Sequence, residues 1–212
     1  LGYPDTSGLP EIDFHITDHH AETEGGTLYT EKPLFMPNSF LCFGMRPTCE
    51  RRTESPASKG MGITFGSFSN AHKLNPQTIA AWCKILHEVP NSRIALKCRW
   101  SSDVIRKNIV NEFSKHHIDE ERILFLASTK TYDEHVAQYN QIDIALDTYP
   151  YSGTTTTCEA LWMGVPVVTY VGKSHASRVS NSILKNIGFE ETLCYSWYEY
   201  VTKAVQLANN PA

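Results

Sequence analysis

A Rossmann-like α/β lobe, a parallel sheet with helices on both faces, is the fold that the sequence predicts from about residue 60 to the end. Three observations predict it. Short apolar runs alternate with stretches of helical periodicity from Gly60 onward, the order that builds right-handed crossovers and a parallel sheet. The runs Ile94-Ala95-Leu96 and Val165-Pro166-Val167-Val168-Thr169 lack a polar alternate, as strands buried on both faces do. Helix punctuation falls between the runs: Asn75 as an N-cap with Pro76 at the first helical position, and Gly164 and Gly188 past two helix ends.

The elements follow in order. Residues 62–68 read as a strand and 76–87 as a helix. Residues 93–98 form the next strand. Helix 102–116 carries Val104, Ile105, Ile109, Val110 and Phe113 near a 3.6-residue period. Strand 122–127, short helix 132–140 and strand 142–147 come next. Helix 155–163, strand 165–171, helix 175–186 and helix 197–208 complete the lobe. Before residue 59 the texture differs: it is irregular and rich in Gly, Pro, Ser and Thr, with short strands expected only at 12–17 and 40–43. The polar, two-proline stretch 45–59 reads as a linker. The expected division is therefore 1–58 and 59–212.

The 212 residues allow one large domain, or one domain and a piece of another. A hydrophobic content of 41% suffices for a core, and a net charge of -4 gives no electrostatic footprint for nucleic acid. No apolar run is long enough to span a bilayer, so no membrane partner is expected. No secretory signal is visible in a chain that opens on Leu1. The six cysteines form no C-x-x-C pair. Scattered through apolar segments, they read as reduced core residues and point to a cytoplasmic or nuclear setting.

Ligands of open parallel sheets bind beyond the carboxyl ends of the strands, so the loops after each strand hold the candidates. After 142–147 the chain runs TYPYSGTTTTCE (148–159). Pro150 and Gly153 bend it, and four threonines open a helix whose first turn offers free N–H groups and a positive dipole end to an anion. Thr155 and Thr156 are the phosphate candidates, and Glu159, one turn on, is a candidate ribose acceptor. The bland alternative is a Thr-rich N-cap with Glu159 favouring the dipole. The loop 67–73 ends in Lys73, a cation able to stabilise a departing diphosphate or simply a solvated surface lysine. His135, near a helix start, is either a base or phosphate contact or a surface histidine. SHASR (174–178) offers a second anion contact or a polar helix start. Asp18-His19-His20 and His116-His117 carry ligating side chains, but adjacent ligands without a distant partner argue weakly for a metal, and none is expected. No G-x-S-x-G elbow, Walker loop or G-x-G-x-x-G is present.

Taken together, DTYPYSGTTTTCEALWMGVPVVT (147–169), TFGSFSNAHKLNP (64–76), Glu134-His135-Val136 and His175-Ala176-Ser177-Arg178-Val179 resemble the signature of the protein O-GlcNAc transferase family. The opening Gly2–Gly8 stretch with Ile16-Thr17-Asp18 is similar to that family's link from its first catalytic lobe. The resemblance spans nearly the whole chain and implies the C-terminal lobe of a GT-B glycosyltransferase plus a remnant of the N-terminal lobe. It implies Lys73 at the diphosphate as the catalytic cation, with Asn70 on the phosphate side where the family often has Gln. It implies His135 against the base or sugar, Thr155 and Thr156 on the phosphates, and Glu159 on the ribose where some members have Asp. The implied reaction is inverting and metal-independent: N-acetylglucosamine passes from UDP-GlcNAc to Ser or Thr of acceptor proteins, with no cofactor. The Gly8-Leu9-Pro10 step, Phe40-Leu41-Cys42-Phe43 and the run 153–159 also resemble the Spindly-type protein O-fucosyltransferases, for which the donor is GDP-fucose. A non-catalytic nucleotide- or partner-binding lobe is the other alternative. The family's tetratricopeptide repeats and most of its N-terminal lobe have no counterpart in these residues, so the chain alone is expected to bind donor at best.

Overall fold

The structure is a computed structural model that describes residues 6–23, 29–44, 47–51, 53–97 and 103–210. It opens with two parallel strands, β1 (Phe14–Asp18) and β2 (Lys32–Met36), paired in register from Phe14↔Lys32 to Asp18↔Met36. The lobe follows: β3 (Thr64–Ser67), α1 (Pro76–Glu88), β4 (Arg93–Leu96), α2 (Asp103–Ser114), β5 (Ile123–Phe125) and α3 (Tyr132–Ala137). After these come β6 (Ile144–Leu146), α4 (Thr155–Trp162), β7 (Val167–Tyr170), α5 (Val179–Asn186), β8 (Leu193–Cys194) and α6 (Trp197–Asn209). The six strands β3 to β8 form one parallel sheet in the order β5-β4-β3-β6-β7-β8. The order reverses between β3 and β6, which opens a crevice at their carboxyl ends.

Side-chain size differs sharply between the two faces of this sheet. Ile94, Leu96, Ile144 and Leu146 point to a large core shared with Trp82, Ile85 and Leu86 of α1, Phe113 of α2, and Tyr200 and Ala204 of α6. The alternate positions point to a second core with Val136, Tyr139, Ile142, Ala160 and Met163. There the register sets Gly66 beside Ala95 on one side and Ala145 on the other. That row of small residues lets the opposite layer approach closely. A Cβ on Gly66 would lie 2.6 Å from both Cδ1 and Cγ2 of Ile142. Two apolar faces per strand explain why β4, β6 and β7 lack polar alternation. The predicted α/β lobe with helices on both faces is thus the observed one.

Local chemistry sets the helix starts. Asn75 Oδ1 accepts from Thr78 N at 3.0 Å, with Pro76 next to it at the first position of α1. Thr131 and Glu134 form a reciprocal capping box that starts α3. Ser196 Oγ accepts from Glu199 N at the start of α6.

Several elements differ from expectation. Residues 40–43 form no strand, because their backbone is satisfied by side chains: Phe40 N donates to Asp18 Oδ2 and Leu41 N to Ser39 Oγ. Strand β2 was hidden by Pro33, which lacks a ladder N–H, and β8 by its length of two residues. Helix 175–186 splits into a 3-10 turn (His175–Ser177) and α5, with Arg178 non-helical between them. The linker contains a 3-10 turn, Ala57–Lys59, tied to the lobe where Asp143 Oδ1 accepts from Ala57 N. Cys83 and Cys194 are buried free thiols as expected, whereas Cys42 is exposed and Cys49 and Cys158 are half-buried. Residues 1–5, 24–28, 45, 46, 52, 98–102, 211 and 212, including Cys98 and the expected helix start at Ser102, lie outside the described residues. Among the described residues, no helix is long and apolar enough to cross a membrane.

Trp82, Tyr200 and the end of β6 are joined by a buried chain of hydrogen bonds. Trp82 Nε1 donates to Tyr200 Oη at 3.1 Å, and Tyr200 Oη donates to the Asp147 carbonyl at 2.8 Å. Tyr200→Phe strips both neighbours of that partner. The expected cost is about 1–3 kcal/mol of unfolding free energy, read by urea denaturation; parental stability would show that the link is dispensable.

Candidate functional site

The crevice at the strand reversal is built around Asp147, the first residue after β6. Its Oδ1 accepts from Thr148 N at 2.8 Å and Gly153 N at 2.7 Å, and its Oδ2 accepts from the Thr169 hydroxyl at 2.7 Å. Burial pushes its pKa up, against the pull of these hydrogen bonds and of the Lys73 charge. The carboxylate folds the loop 148–153 back on itself, so that Ser152 and Gly153 are brought against the start of α4. The fit there is tight: a Cβ on Gly153 would lie 2.3 Å from Thr157 Oγ1 and 2.9 Å from Thr156 Oγ1.

Lys73 reaches the same loop from the other side of the crevice. It ends a 3-10 turn, Ala71–Lys73, whose N-cap is Asn70, with Asn70 Oδ1 accepting from His72 N at 3.2 Å. The Lys73 ammonium donates to the Ser152 carbonyl at 2.8 Å and stands 3.8 Å from the Tyr151 ring centroid. Burial lowers its pKa, partly offset by the Asp147 charge. An ammonium has three donors, and one carbonyl uses one of them. Lys73 is therefore not the solvated surface lysine of the bland alternative. Asn70 is exposed and shapes the turn that carries Lys73.

Helix α4 begins without a side-chain cap: Thr154 makes no capping hydrogen bond. Thr155 is exposed, Thr156 is half-buried, and Thr157 is buried with its hydroxyl 2.9 Å from Ser180 Oγ. The plain Thr N-cap is thus excluded, and the dipole end of α4 is left to act on whatever enters the crevice. Glu159 lies beyond the first turn, so the dipole does not account for it either. A cavity between β3 and α4 is lined by Ser67, Phe68, Ser69, Asp147, Thr156 and Thr157. The buried Ser67 hydroxyl there has no hydrogen-bond partner among the described residues.

A second group adjoins this one through Thr156. Glu159 is 3% exposed, and its Oε2 accepts from Tyr139 Oη at 3.0 Å and lies 3.0 Å from His135 Nε2. Tyr139 Oη also lies 3.1 Å from the Thr156 carbonyl. Burial, then the Glu159 charge, raises the Tyr139 pKa well above its ordinary value. The structure therefore brings His135 and Glu159 together. Lys97, at the end of β4, was not foreseen. It is 6% exposed, its Nζ is 3.3 Å from Thr129 Oγ1, and it feels the Glu159 and Glu134 charges while burial lowers its pKa. A lysine ending an apolar strand at the carboxyl edge of the sheet was the available signal. The SHASR segment is a polar helix start: Ser174 and Ser177 cap each other, and Arg178 Nη1 donates to the Gly172 carbonyl. Among the described residues, neither adjacent-histidine cluster joins a group of three or more converging ligand side chains. Asp18 instead accepts from His20 N, Ala21 N, Phe40 N and the Ser182 hydroxyl, and His19 stacks on Phe35 at 4.4 Å.

Asp147→Ala would leave two buried N–H groups and the Thr169 hydroxyl without their acceptor. We expect a loss of about 3 kcal/mol in unfolding free energy, measured by chemical denaturation, whereas a loss below about 1 kcal/mol would remove Asp147 as the organiser of the loop.

Comparison with known proteins places the fold among solved and curated relatives. The model of Glycosyl transferase family 41 matches residues 56–212. A protein of Solanum lycopersicum named "Probable UDP-N-acetylglucosamine--peptide N-acetylglucosaminyltransferase SPINDLY" is 39% identical over 99% of the chain and 23% of its own length. One of Arabidopsis thaliana, named as a probable enzyme of the same activity, SEC, is 27% identical over 99% of the chain and 22% of its own length. A solved mutant O-GlcNAc transferase of Thermobaculum terrenum superposes with a TM-score of 0.92 at 30% identity, over 99% of this chain and 40% of that one. The chain thus spans about a quarter of the length of the curated relatives it matches. The matched fold is a lobe of the GT-B glycosyltransferase type, and the chain belongs to glycosyl transferase family 41.

Proposed function

We propose that this chain is the donor-binding lobe of an inverting protein O-glycosyltransferase that moves N-acetylglucosamine from UDP-GlcNAc to Ser or Thr of acceptor proteins. Residues 59–212 form that lobe and 1–58 the tail of the neighbouring one in this reading. The observation that carries it is the convergence of the Lys73 ammonium and the uncapped start of α4 on the Ser152–Gly153 corner. Two phosphates fit such a pair of positive ends. As the acceptor hydroxyl attacks the anomeric carbon, the bond to the diphosphate oxygen breaks and negative charge grows on the leaving group. Lys73, with the Thr155 and Thr156 N–H groups and hydroxyls, meets that charge with fixed donors. Asn70 holds the turn that aims Lys73. Glu159 and His135, already paired, take the ribose and the base side.

The free thiols among the described residues support a reducing, cytoplasmic or nuclear setting. GDP-fucose serves as the comparison donor, while the names of both the SPINDLY relative of Solanum lycopersicum and the SEC relative specify UDP-N-acetylglucosamine.

Titration of the full-length protein with UDP-GlcNAc and GDP-fucose side by side, coupled to transfer onto a Ser/Thr peptide, tests the reading. Saturable UDP-GlcNAc binding with transfer supports it; GDP-fucose preference moves the donor; binding without transfer leaves a non-catalytic lobe. In the same assay, Lys73→Ala is expected to lower kcat on the order of a hundredfold or more, and unchanged turnover would reject Lys73 as the leaving-group cation.

A further inference from the structure

Outside the crevice, two imidazoles and a carboxylate meet where the β1–β2 segment docks on the lobe. His15 comes from β1, Glu22 from the turn after it, and His175 from the loop after β7, 153 residues away from Glu22. Glu22 Oε1 lies 2.7 Å from His175 Nδ1 and 3.3 Å from His15 Nε2, and it accepts from the Thr17 hydroxyl at 2.6 Å. The three ligating atoms all lie within 4.8 Å of one another. The side chains of His175, Glu22 and His15 are 4%, 6% and 15% exposed, so the group is closed off from bulk water.

Hydrogen bonding alone leaves this arrangement lopsided. A carboxylate oxygen offers about two lone-pair sites, yet three groups converge on Oε1. Oε2 has the Tyr29 hydroxyl at 3.3 Å. A cation between the three would serve all of them, each imidazole giving it a lone pair in place of competing for Oε1. Two neutral imidazoles and one carboxylate form a borderline donor set suited to zinc-class divalent ions and not to calcium or magnesium. Tetrahedral zinc with bonds of about 2.0–2.1 Å sets its ligands about 3.3 Å apart; Glu22 Oε1 stands 3.3 Å from His15 Nε2 and 2.7 Å from His175 Nδ1, and all three ligating atoms lie within 4.8 Å of one another.

We propose that His15, Glu22 and His175 form a binding site for a divalent transition ion of the zinc class, with Thr17 and Tyr29 steadying the carboxylate. The ion plays no part at the diphosphate. It staples the segment containing β1 to the loop after β7, whose Ala176 carbonyl in turn accepts from Ser152 N at 2.9 Å.

The test is zinc binding by the full-length protein, purified without a histidine tag. Metal analysis should find one zinc per chain. Competition with a zinc-responsive dye should then show His15→Gln and Glu22→Gln weakening binding beyond the ten- to hundredfold that loss of a mere supporting residue causes. His15→Gln is the informative variant, because the amide keeps a hydrogen-bond donor toward Glu22 while removing the imidazole, at the least buried of the three positions. Zinc should also raise the melting temperature of the parent and leave that of His15→Gln unmoved. Two results overturn the proposal: no zinc retained and none taken up at micromolar concentration, which makes the trio a hydrogen-bonded clamp only, or equal uptake by parent and both variants, which puts the metal elsewhere.

Discussion

The site depends on one buried carboxylate. Asp147 sits where β6 ends, and its two oxygens collect two backbone N–H groups from its own loop and a hydroxyl from β7. Neither a surface turn nor a proline and a glycine alone would fix the return of residues 148–153 so tightly. Hydrogen bonds to a charged group contribute about 1.5–3 kcal/mol each, and these, with a smaller pull from the Lys73 charge, oppose the cost of burying the carboxylate. The loop that Asp147 orders also holds the ammonium, through the Ser152 carbonyl.

The small-residue row explains why the crevice is where it is. Gly66, Ala95 and Ala145 sit side by side at the centre of the sheet, and the layer above them, with Ile142 and Tyr139, packs down to contact distance. That close approach lowers α3 and α4 onto the strand ends, so that Tyr139 can join Thr156 to Glu159. Large residues in the row would lift that layer and separate the two halves of the site. The other face, filled by Ile and Leu against α1, α2 and α6, supplies most of the large buried side chains.

Legibility in the sequence followed the range of the interaction. Asn75-Pro76 and the Thr-rich start of α4 were legible because capping and dipole effects act within one turn. Lys73 was legible as a cation after a strand, but its half-buried state, which excludes the solvated alternative, needed the 79-residue reach to Ser152. Asp147 was read only as the last residue of a strand, since nothing local tells that three donors will converge on it. Lys97 is hidden for a similar reason: its charge looks like a strand terminus until the fold buries it. Residues 40–43 carried the composition of a strand, but their backbone partners were side chains from β1 and a local serine, a choice that propensity does not encode.

The attachment of the N-terminal segment follows a different physics from the lobe. The β1–β2 pair exposes Phe14, Ile16, Leu34 and Phe35, and two strands alone are marginal in water. Contacts to the lobe combine ring packing of Phe40 on His175 and of Phe43 on Trp162 with polar bonds: Asn181 Nδ2 donates to the His20 carbonyl at 2.7 Å, the Ser182 hydroxyl donates to Asp18 Oδ2 at 2.5 Å, and His175 meets Glu22. Two of these acceptors, Asp18 and Glu22, are carboxylates, and a hydrogen bond to a charged group contributes about 1.5–3 kcal/mol, while ordering a backbone residue costs about 1–2 kcal/mol. The His15–Glu22–His175 trio concentrates the charged chemistry of this junction, and Phe40 packs against His175 beside it with ring centroids 5.1 Å apart. The Ser152–Ala176 contact joins the loop that carries His175 to the corner that Lys73 grips, so the junction and the crevice share one structural element.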